Sequence, residues 1–246
     1  MTPEEVAVGL SFDGRPHTVL MATPADVEDL ARGFTLTEGV AGAADILAVE
    51  VTENDLGILA DVKLRLGAIQ RKARPRTLEG RSSCGLCGVQ RLADAVRPLP
   101  KVGQGARVSH QVIQSAVDAL GDAQVLGRLT RATHAAAFVT AEGERRLIRE
   151  DVGRHNALDK LAGAMAVAGA DAQAGFVLVT SRCSFEMVEK TARMGCSMLV
   201  AVSAPTDLAI RRAEDAGVTL VALARADGHN VFTRADRLFD AALELV

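Results

Sequence analysis

Two cysteines stand three positions apart in Arg81-Ser82-Ser83-Cys84-Gly85-Leu86-Cys87-Gly88. Thiols at this spacing can supply half of a zinc site, form a redox dithiol or simply be two cysteines in a loop. Gly85 and Gly88 admit positive φ, which keeps the segment loop-like and lets a bulky partner approach the sulfurs. Arg71, Lys72, Arg74, Arg76 and Arg81 lie just upstream, opposed only by Glu79. Positive charge beside a thiol favours the thiolate, the form that attacks sulfur or binds metal. Cys84 and Cys87 are therefore the candidate catalytic residues.

A second concentration of chemistry runs from Glu150 to Lys160, where acid, guanidinium, imidazole and amide groups share one turn and a helix start. Two readings stay open. In one, Asp151 caps the helix, Arg154 and His155 face a ligand, and Leu158 and Leu161 anchor the inner side. In the other, the charges form a buried ion-pair network that holds the fold.

The elements that must position these groups fall into two rhythms. Val6 to Phe12 and His17 to Met21 are expected to form a hairpin about Asp13-Gly14, followed by a helix opened by Thr23-Pro24 and ending near Gly33. Ile46 to Thr52 and Gly57 to Leu66 are a further strand pair, the second alternating Val62, Leu64 and Leu66 against Asp61, Lys63 and Arg65 so that one face is wet. From Gly67 to Arg81 charge and Pro75 replace periodicity, which predicts a mobile loop delivering the cysteines. A short helix or turn is expected near Val89 to Val96. Ser109 then caps a helix burying Val112, Ile113, Ala116, Val117 and Leu120 and closed by Gly121.

The second half alternates apolar runs with helices: Phe176 to Thr180, Ser184 to Met194, Met198 to Val202, Thr206 to Ala216, Val218 to Leu223. Continuous apolar strands separated by helices predict a parallel βαβαβ sheet covered on both faces. Ligands bind such sheets at the carboxyl ends of the strands, here Thr180-Ser181-Arg182, Ser203-Ala204-Pro205-Thr206 and Arg225-Ala226-Asp227-Gly228. Helix starts at these tips can hold phosphate, with Arg182 and Arg225 as partners; alternatively Ser184 and Thr206 only cap their helices. The fold class expected is α/β, with a parallel βαβαβ second lobe and a smaller α+β first lobe, divided at 1–82 and 83–246.

Composition narrows the function classes. At 246 residues and 48% apolar content, the chain can bury a sizeable core. A net charge of −3 and the absence of Trp and Tyr argue against nucleic-acid partners, which need a basic surface or stacking platforms. The acidic start lacks the apolar stretch of a signal peptide or membrane span, so no membrane partner and a cytoplasmic location are expected. Four cysteines are too few for a disulfide framework, and a reducing compartment keeps them as thiols.

Four motifs in order resemble the FdhD family of formate dehydrogenase accessory sulfurtransferases: Ser82 to Gly88; Glu150 to Lys160; Thr180-Ser181-Arg182 followed by Ser184-Phe185-Glu186-Met187; and Ser203-Ala204-Pro205-Thr206 with the Leu220 to Phe232 tail. With Thr23-Pro24 and Gly33-Phe34 the resemblance spans almost the whole chain. It implies a second lobe like that of cytidine deaminases. It also implies a homodimer that takes sulfur from a cysteine desulfurase as a persulfide. The sulfur then passes to a molybdenum cofactor, Mo-bis-molybdopterin guanine dinucleotide, destined for formate dehydrogenase. Carried over by position, Cys84 bears the persulfide and Cys87 is its companion. The guanine-nucleotide end lies along Leu223, Ala224, Arg225, Ala226, Asp227 and Gly228, for which GDP is a mimic. Ser181, Arg182, His155 and Thr206 complete the expected cofactor site, with no metal held by the protein itself. Three features depart from the family pattern. Thr130-Arg131-Ala132-Thr133-His134 replaces a Thr-Gly-Gly-x-His run, Cys183 stands at a usually aliphatic or small position, and members often carry further residues ahead of the segment that begins here near Glu5.

The same residues bear on other functions. A zinc deaminase needs a His/Cys-x-Glu motif ahead of a Pro-Cys-x-x-Cys; here His134 follows the cysteines, Ala135-Ala136 follow it, and Ser83 replaces the proline, which excludes that chemistry. A thioredoxin-type thiol-disulfide oxidoreductase opens a helix with its CxxC, whereas this pair ends a basic loop; that reading stays open as an alternative. A cofactor chaperone without covalent sulfur chemistry remains an alternative.

Overall fold

The computed structural model describes residues 1–69 and 98–241. Strands β1 (Val6–Phe12) and β2 (Arg15–Ala22) form the expected hairpin. Its turn places Asp13 at φ 50° and Gly14 at φ 75°, the pair of positive values that makes Asp-Gly favourable in two-residue hairpins. Strands β3 (Ile46–Asn54) and β4 (Gly57–Leu64) complete a sheet of order β2-β1-β4-β3, in which β1 and β4 run parallel. Val8, Leu10, Phe12, Ala60, Val62 and Leu64 bury one face against Leu30, Ala31 and Phe34 of α1 (Val27–Thr37). The opposite side of β4 is not uniformly wet. Asp61 is buried there, accepting hydrogen bonds from the Ser11 hydroxyl and the Gly14 amide and pairing with Lys63.

Helix α1 does not stop near Gly33. It continues to Thr37 because that glycine lets it cross α4 (Arg154–Ala168) at backbone distance: a Cβ on Gly33 would lie 1.6 Å from the Asp159 carbonyl oxygen, and one on Gly163 2.0 Å from that of Asp29. A glycine near a helix end reads as a stop signal in one dimension, but here it is a crossing point.

Beyond residue 98 the chain builds β5 (Val108–Ser109), α2 (His110–Ala123), α3 (Val125–Thr130), β6 (His134–Thr140) and β7 (Arg145–Asp151) ahead of α4. Ser109 caps α2, accepting from the Val112 amide at 3.2 Å; the helix runs two residues past Gly121. After α4 come β8 (Gly175–Val179), α5 (Phe185–Arg193), β9 (Met198–Ala201), α6 (Asp207–Ala216), β10 (Thr219–Arg225), β11 (Gly228–Thr233) and β12 (Leu238–Phe239), the last paired with β5.

The larger sheet has the order β11-β10-β9-β8-β6-β7, with β8, β9 and β10 parallel as the βαβαβ pattern predicts and antiparallel hairpins on either side. Alternate residues point to opposite faces. Phe176, Leu178, Met198, Val200 and Val221 pack with Ile113 and Leu120 of α2, while Val177, Val179, Leu199, Ala201 and Leu220 pack with Leu158 and Leu161 of α4, Met187 and Val188 of α5, and Ala209 and Ala213 of α6. The α/β class therefore holds, as a helix–sheet–helix sandwich with a second, smaller sheet joined to it through the α1–α4 crossing. No helix among the described residues is long and apolar enough to cross a membrane. The expected loop from Gly67 to Arg81, beyond its first residues, and the helix or turn near Val89 to Val96 lie outside the described residues.

Candidate functional site

Parallel β8, β9 and β10 end on one edge of the large sheet, and antiparallel pairing brings the start of β6 and the end of β7 to that same edge, where His134 faces Asp151. Backbone hydrogen bonds join the tips. Thr180 N–H donates to Ala135 O, Cys183 N–H to Ala204 O, Thr206 N–H to Cys183 O, and Leu223 N–H to Ser203 O, all at 3.0–3.2 Å. Helices α4, α5 and α6 follow β7, β8 and β9 and begin at this edge, so three helix N-termini present positive dipole ends to it.

The residues expected to bind the cofactor occupy this edge with different freedom. Arg182 is exposed, and among the described residues its side chain has no hydrogen-bond or ion-pair partner. Arg154 likewise has none, and its buried Nε is unsatisfied. His155 is buried beside it at the start of α4. Ser181 is buried and donates its hydroxyl to Arg182 O at 3.0 Å. Thr206 caps α6, accepting from the Ala209 amide at 3.2 Å, so the capping reading holds for its side chain. The same reading fails for Ser184, whose hydroxyl makes no cap and is buried with no partner among the described residues at the start of α5.

Leu223 to Gly228 form the β10–β11 hairpin. Leu223 adopts φ 54°, a left-handed conformation that costs a leucine on the order of 1 kcal/mol. Ala224 is buried, Arg225, Ala226 and Asp227 are exposed at the tip, and Gly228 takes φ 144°. The hairpin is tethered to α2 twice. The Gln114 side-chain amide donates to Arg225 O, and His110 Nδ1 and His229 Nε2 lie 2.8 Å apart with their rings stacked. Burial, and then the neighbouring His110, hold His229 below the usual histidine value.

His134 is half-buried at the start of β6 on this edge, a residue outside the expected cofactor site. Burial lowers its pKa first, and the Arg154 and Arg182 guanidiniums lower it further against a smaller opposite pull from Asp151. Both arginines are thus electrostatic neighbours of one imidazole, although 28 residues separate positions 154 and 182 in sequence. An edge with two guanidiniums unpaired among the described residues, an imidazole held towards its neutral form and helix starts favours an anionic ligand.

The Glu150–Lys160 segment divides between the two readings. Asp151 does not cap α4; Gly153 occupies that position. The Asp151 carboxylate is fully buried and accepts from the Thr23 amide (3.0 Å) and hydroxyl (3.0 Å), the Gly153 amide (2.8 Å) and the Asn156 side chain (3.0 Å), and it pairs with Lys160 at 2.7 Å. Its bond to Gly153 holds it outside the first turn, while Lys160 and Thr23 claim its other oxygen. Glu150 accepts from the Leu126 and Gly127 amides at 2.8 and 2.7 Å, so it serves as an acidic cap to α3 from a different strand. Asp159 pairs with Lys190 at 2.8 Å, and Lys190 also reaches Glu38 at 3.0 Å beyond α1. Most of this segment therefore ties the two sheets together, leaving Arg154 at the edge with no partner among the described residues.

Cys84 and Cys87 lie outside the described residues. The other two cysteines do not suit nucleophilic chemistry: burial, reinforced by Glu186, pushes the Cys183 thiol up to about 12, and burial pushes Cys196 up to about 11. A thiol in this state behaves as a small apolar side chain. Among the described residues, no group of three His, Cys, Asp or Glu side chains is placed to hold a metal ion.

Residues 3–239 match the FdhD/NarQ family. The sequence is 50% identical over 239 residues to the sulfur carrier protein FdhD of Agrobacterium fabrum, covering 96% of this chain and 88% of that one. It is 49% identical over 237 residues to the protein of the same name from Cupriavidus necator, covering 96% and 82%. A crystal structure from Desulfotalea psychrophila, described as that of a formate dehydrogenase accessory protein, superposes with a TM-score of 0.75 at 24% identity over 97% of this chain and 90% of that one. This last likeness supports the fold.

Proposed function

The chain belongs to the FdhD/NarQ family, and on that premise we propose that it is a sulfurtransferase that carries sulfur to the molybdenum cofactor of formate dehydrogenase. The Cys84 thiolate attacks the outer sulfur of a cysteine desulfurase persulfide. The desulfurase S–S bond breaks, its cysteine leaves as a thiolate, and a Cys84 persulfide forms. Delivery of that sulfur as hydrosulfide requires two electrons. Cys87 supplies them by attacking the inner sulfur of the persulfide, which closes a Cys84–Cys87 disulfide and releases HS⁻ toward the molybdenum. The basic run from Arg71 to Arg81 favours the Cys84 thiolate and attracts an anionic partner.

The observation that carries the cofactor half of this reading is the sheet edge, where Arg154 and Arg182 have no partner among the described residues and three helices begin. The substrate is Mo-bis-molybdopterin guanine dinucleotide, whose pyrophosphates are the anions such an edge suits. Its guanine lies along Leu223 to Gly228, and its phosphates meet Arg182, Arg154 and the starts of α4 and α5. Ser184 joins these as a hydroxyl still able to bond a ligand. The protein works as a cytoplasmic homodimer, with the desulfurase and formate dehydrogenase as its partners.

Intact mass after incubation with a cysteine desulfurase and cysteine tests the reaction class. The expected result is a gain of about one sulfur per chain, removed by reductant and absent in Cys84→Ala. No gain in the wild type, combined with intact GDP binding, would leave a cofactor chaperone in place of a sulfur carrier. In Cys87→Ala, where the persulfide cannot be resolved into a disulfide, the gain should persist; no added sulfur in that variant, with a mass loss of two hydrogens in the wild type, would instead identify a thiol-disulfide oxidoreductase.

A further inference from the structure

Beside the sheet edge lies a cavity of about 470 Å³, within the range of roughly 300–1,000 Å³ common for small-ligand sites. It is lined by Gln124, Arg128, Arg131, Thr133, His134 and Thr180, with no carboxylate among its lining residues. Arg131 ends α3 at φ 54°, a conformation that glycine takes freely and arginine does not. Among the described residues its guanidinium has no hydrogen bond or ion pair, and Arg128 uses only its Nε, on Gln124 O at 3.3 Å. The nearby acid, Glu150, is occupied by the Leu126 and Gly127 amides and the Thr133 hydroxyl, so it offsets the α3 N-terminus and leaves the two guanidiniums uncompensated.

We propose that this cavity is a second anion site, in which Arg128 and Arg131 bind a pyrophosphate group. His134 and Thr180 belong both to the cavity and to the sheet edge, so the two sites are contiguous. Reading that anion as the pyrophosphate of a nucleotide arm rests on the proposed function; the anion site itself does not.

Calorimetry on the full chain with inorganic pyrophosphate tests the site, using wild type, Arg131→Gly and Arg128→Gln. Arg131→Gly places glycine at a left-handed position, so its thermal midpoint should equal or exceed that of the wild type. Each substitution removes one charge-assisted contact and should weaken pyrophosphate binding on the order of tenfold to a hundredfold. No pyrophosphate binding to the wild type, or equal affinity in all three proteins, would overturn the proposal. Competition identifies the source: displacement of pyrophosphate by GDP supports a nucleotide arm, and simultaneous binding supports the site as one for a free oxyanion. If the wild type binds no GDP yet its pyrophosphate affinity still depends on Arg131, the cofactor reading fails and the anion site stands.

Discussion

Lys190→Met removes the cation at the centre of the contact between the two sheets. The wild-type ammonium donates to both oxygens of Asp159 (2.8 and 3.0 Å), to Glu38 (3.0 Å) and to the Thr37 hydroxyl (3.0 Å), with lysine and both acids buried. Burial alone would discharge this lysine, but Asp159 and Glu38 together raise its pKa, so it stays charged. Methionine keeps most of the stem volume, which confines the loss to electrostatics. Breaking a buried pair by removing one partner costs about 3–5 kcal/mol, because the abandoned charge stays desolvated. Set against a typical total of about 5–15 kcal/mol, that is a large fraction of stability. Burial already raises the Asp159 pKa in the presence of Lys190, and without the cation it should rise further. A folded-state pKa raised above the unfolded value contributes stability at low pH that is lost as pH climbs through it. The deficit of the variant relative to wild type should therefore be larger at about pH 8 than at about pH 5. Urea denaturation followed by circular dichroism is the suitable assay, since the chain has no Trp or Tyr to report by fluorescence. Adding Asp159→Asn and Glu38→Gln should recover much of the loss at the higher pH. A variant within about 1 kcal/mol of wild type at both pH values, or a deficit independent of pH, would refute the buried-charge account.

Gly163→Ala puts a methyl group 2.0 Å from the Asp29 carbonyl oxygen, and Gly33→Ala puts one 1.6 Å from that of Asp159. Each should cost about 3 kcal/mol or more in the same urea assay, and near-neutral substitutions would show that α1 and α4 do not cross so closely. Because burial and then Arg154 and Arg182 hold His134 below its usual value, a bound phosphate that offsets those arginines should raise its pKa. GDP affinity should then strengthen from pH 8 towards pH 6 with proton uptake, measured by calorimetry in buffers of different ionisation enthalpy; the same slope in His134→Gln would remove His134 from the explanation. With thiols pushed up to about 12 and about 11, Cys183 and Cys196 should resist iodoacetamide at pH 8 until urea unfolds the chain, whereas rapid native labelling mapped to either by peptide mass spectrometry would contradict their burial.

Local signals in the sequence were reliable wherever the physics is local. The Asp13-Gly14 turn, the Ser109 cap, and the glycines at 195 and 217 that follow α5 and α6 with φ near 75° all depend on backbone conformations set by neighbouring residues. Apolar runs separated by helical stretches likewise imply three parallel strands, because an element buried on both faces has no polar side to show. Where one residue type serves two purposes, that reading fails. Gly33 looks like a helix stop and is a helix crossing; Asp151 looks like a cap and is the hub of a buried network; of Ser184 and Thr206, in matching places after two strands, only Thr206 caps.

The sequence by itself determined the types of element, the α/β class and the presence of two cysteines in a basic, glycine-flanked segment. Tertiary structure alone decided that His134, Arg154 and Arg182 share one sheet edge, that Arg128 and Arg131 flank a cavity beside it, and that Lys190 finds its second carboxylate 152 positions away. Hydrophobic periodicity records which side of an element is buried, whereas an ion pair or a binding edge depends on which strands become neighbours, and that is settled only when the sheet assembles.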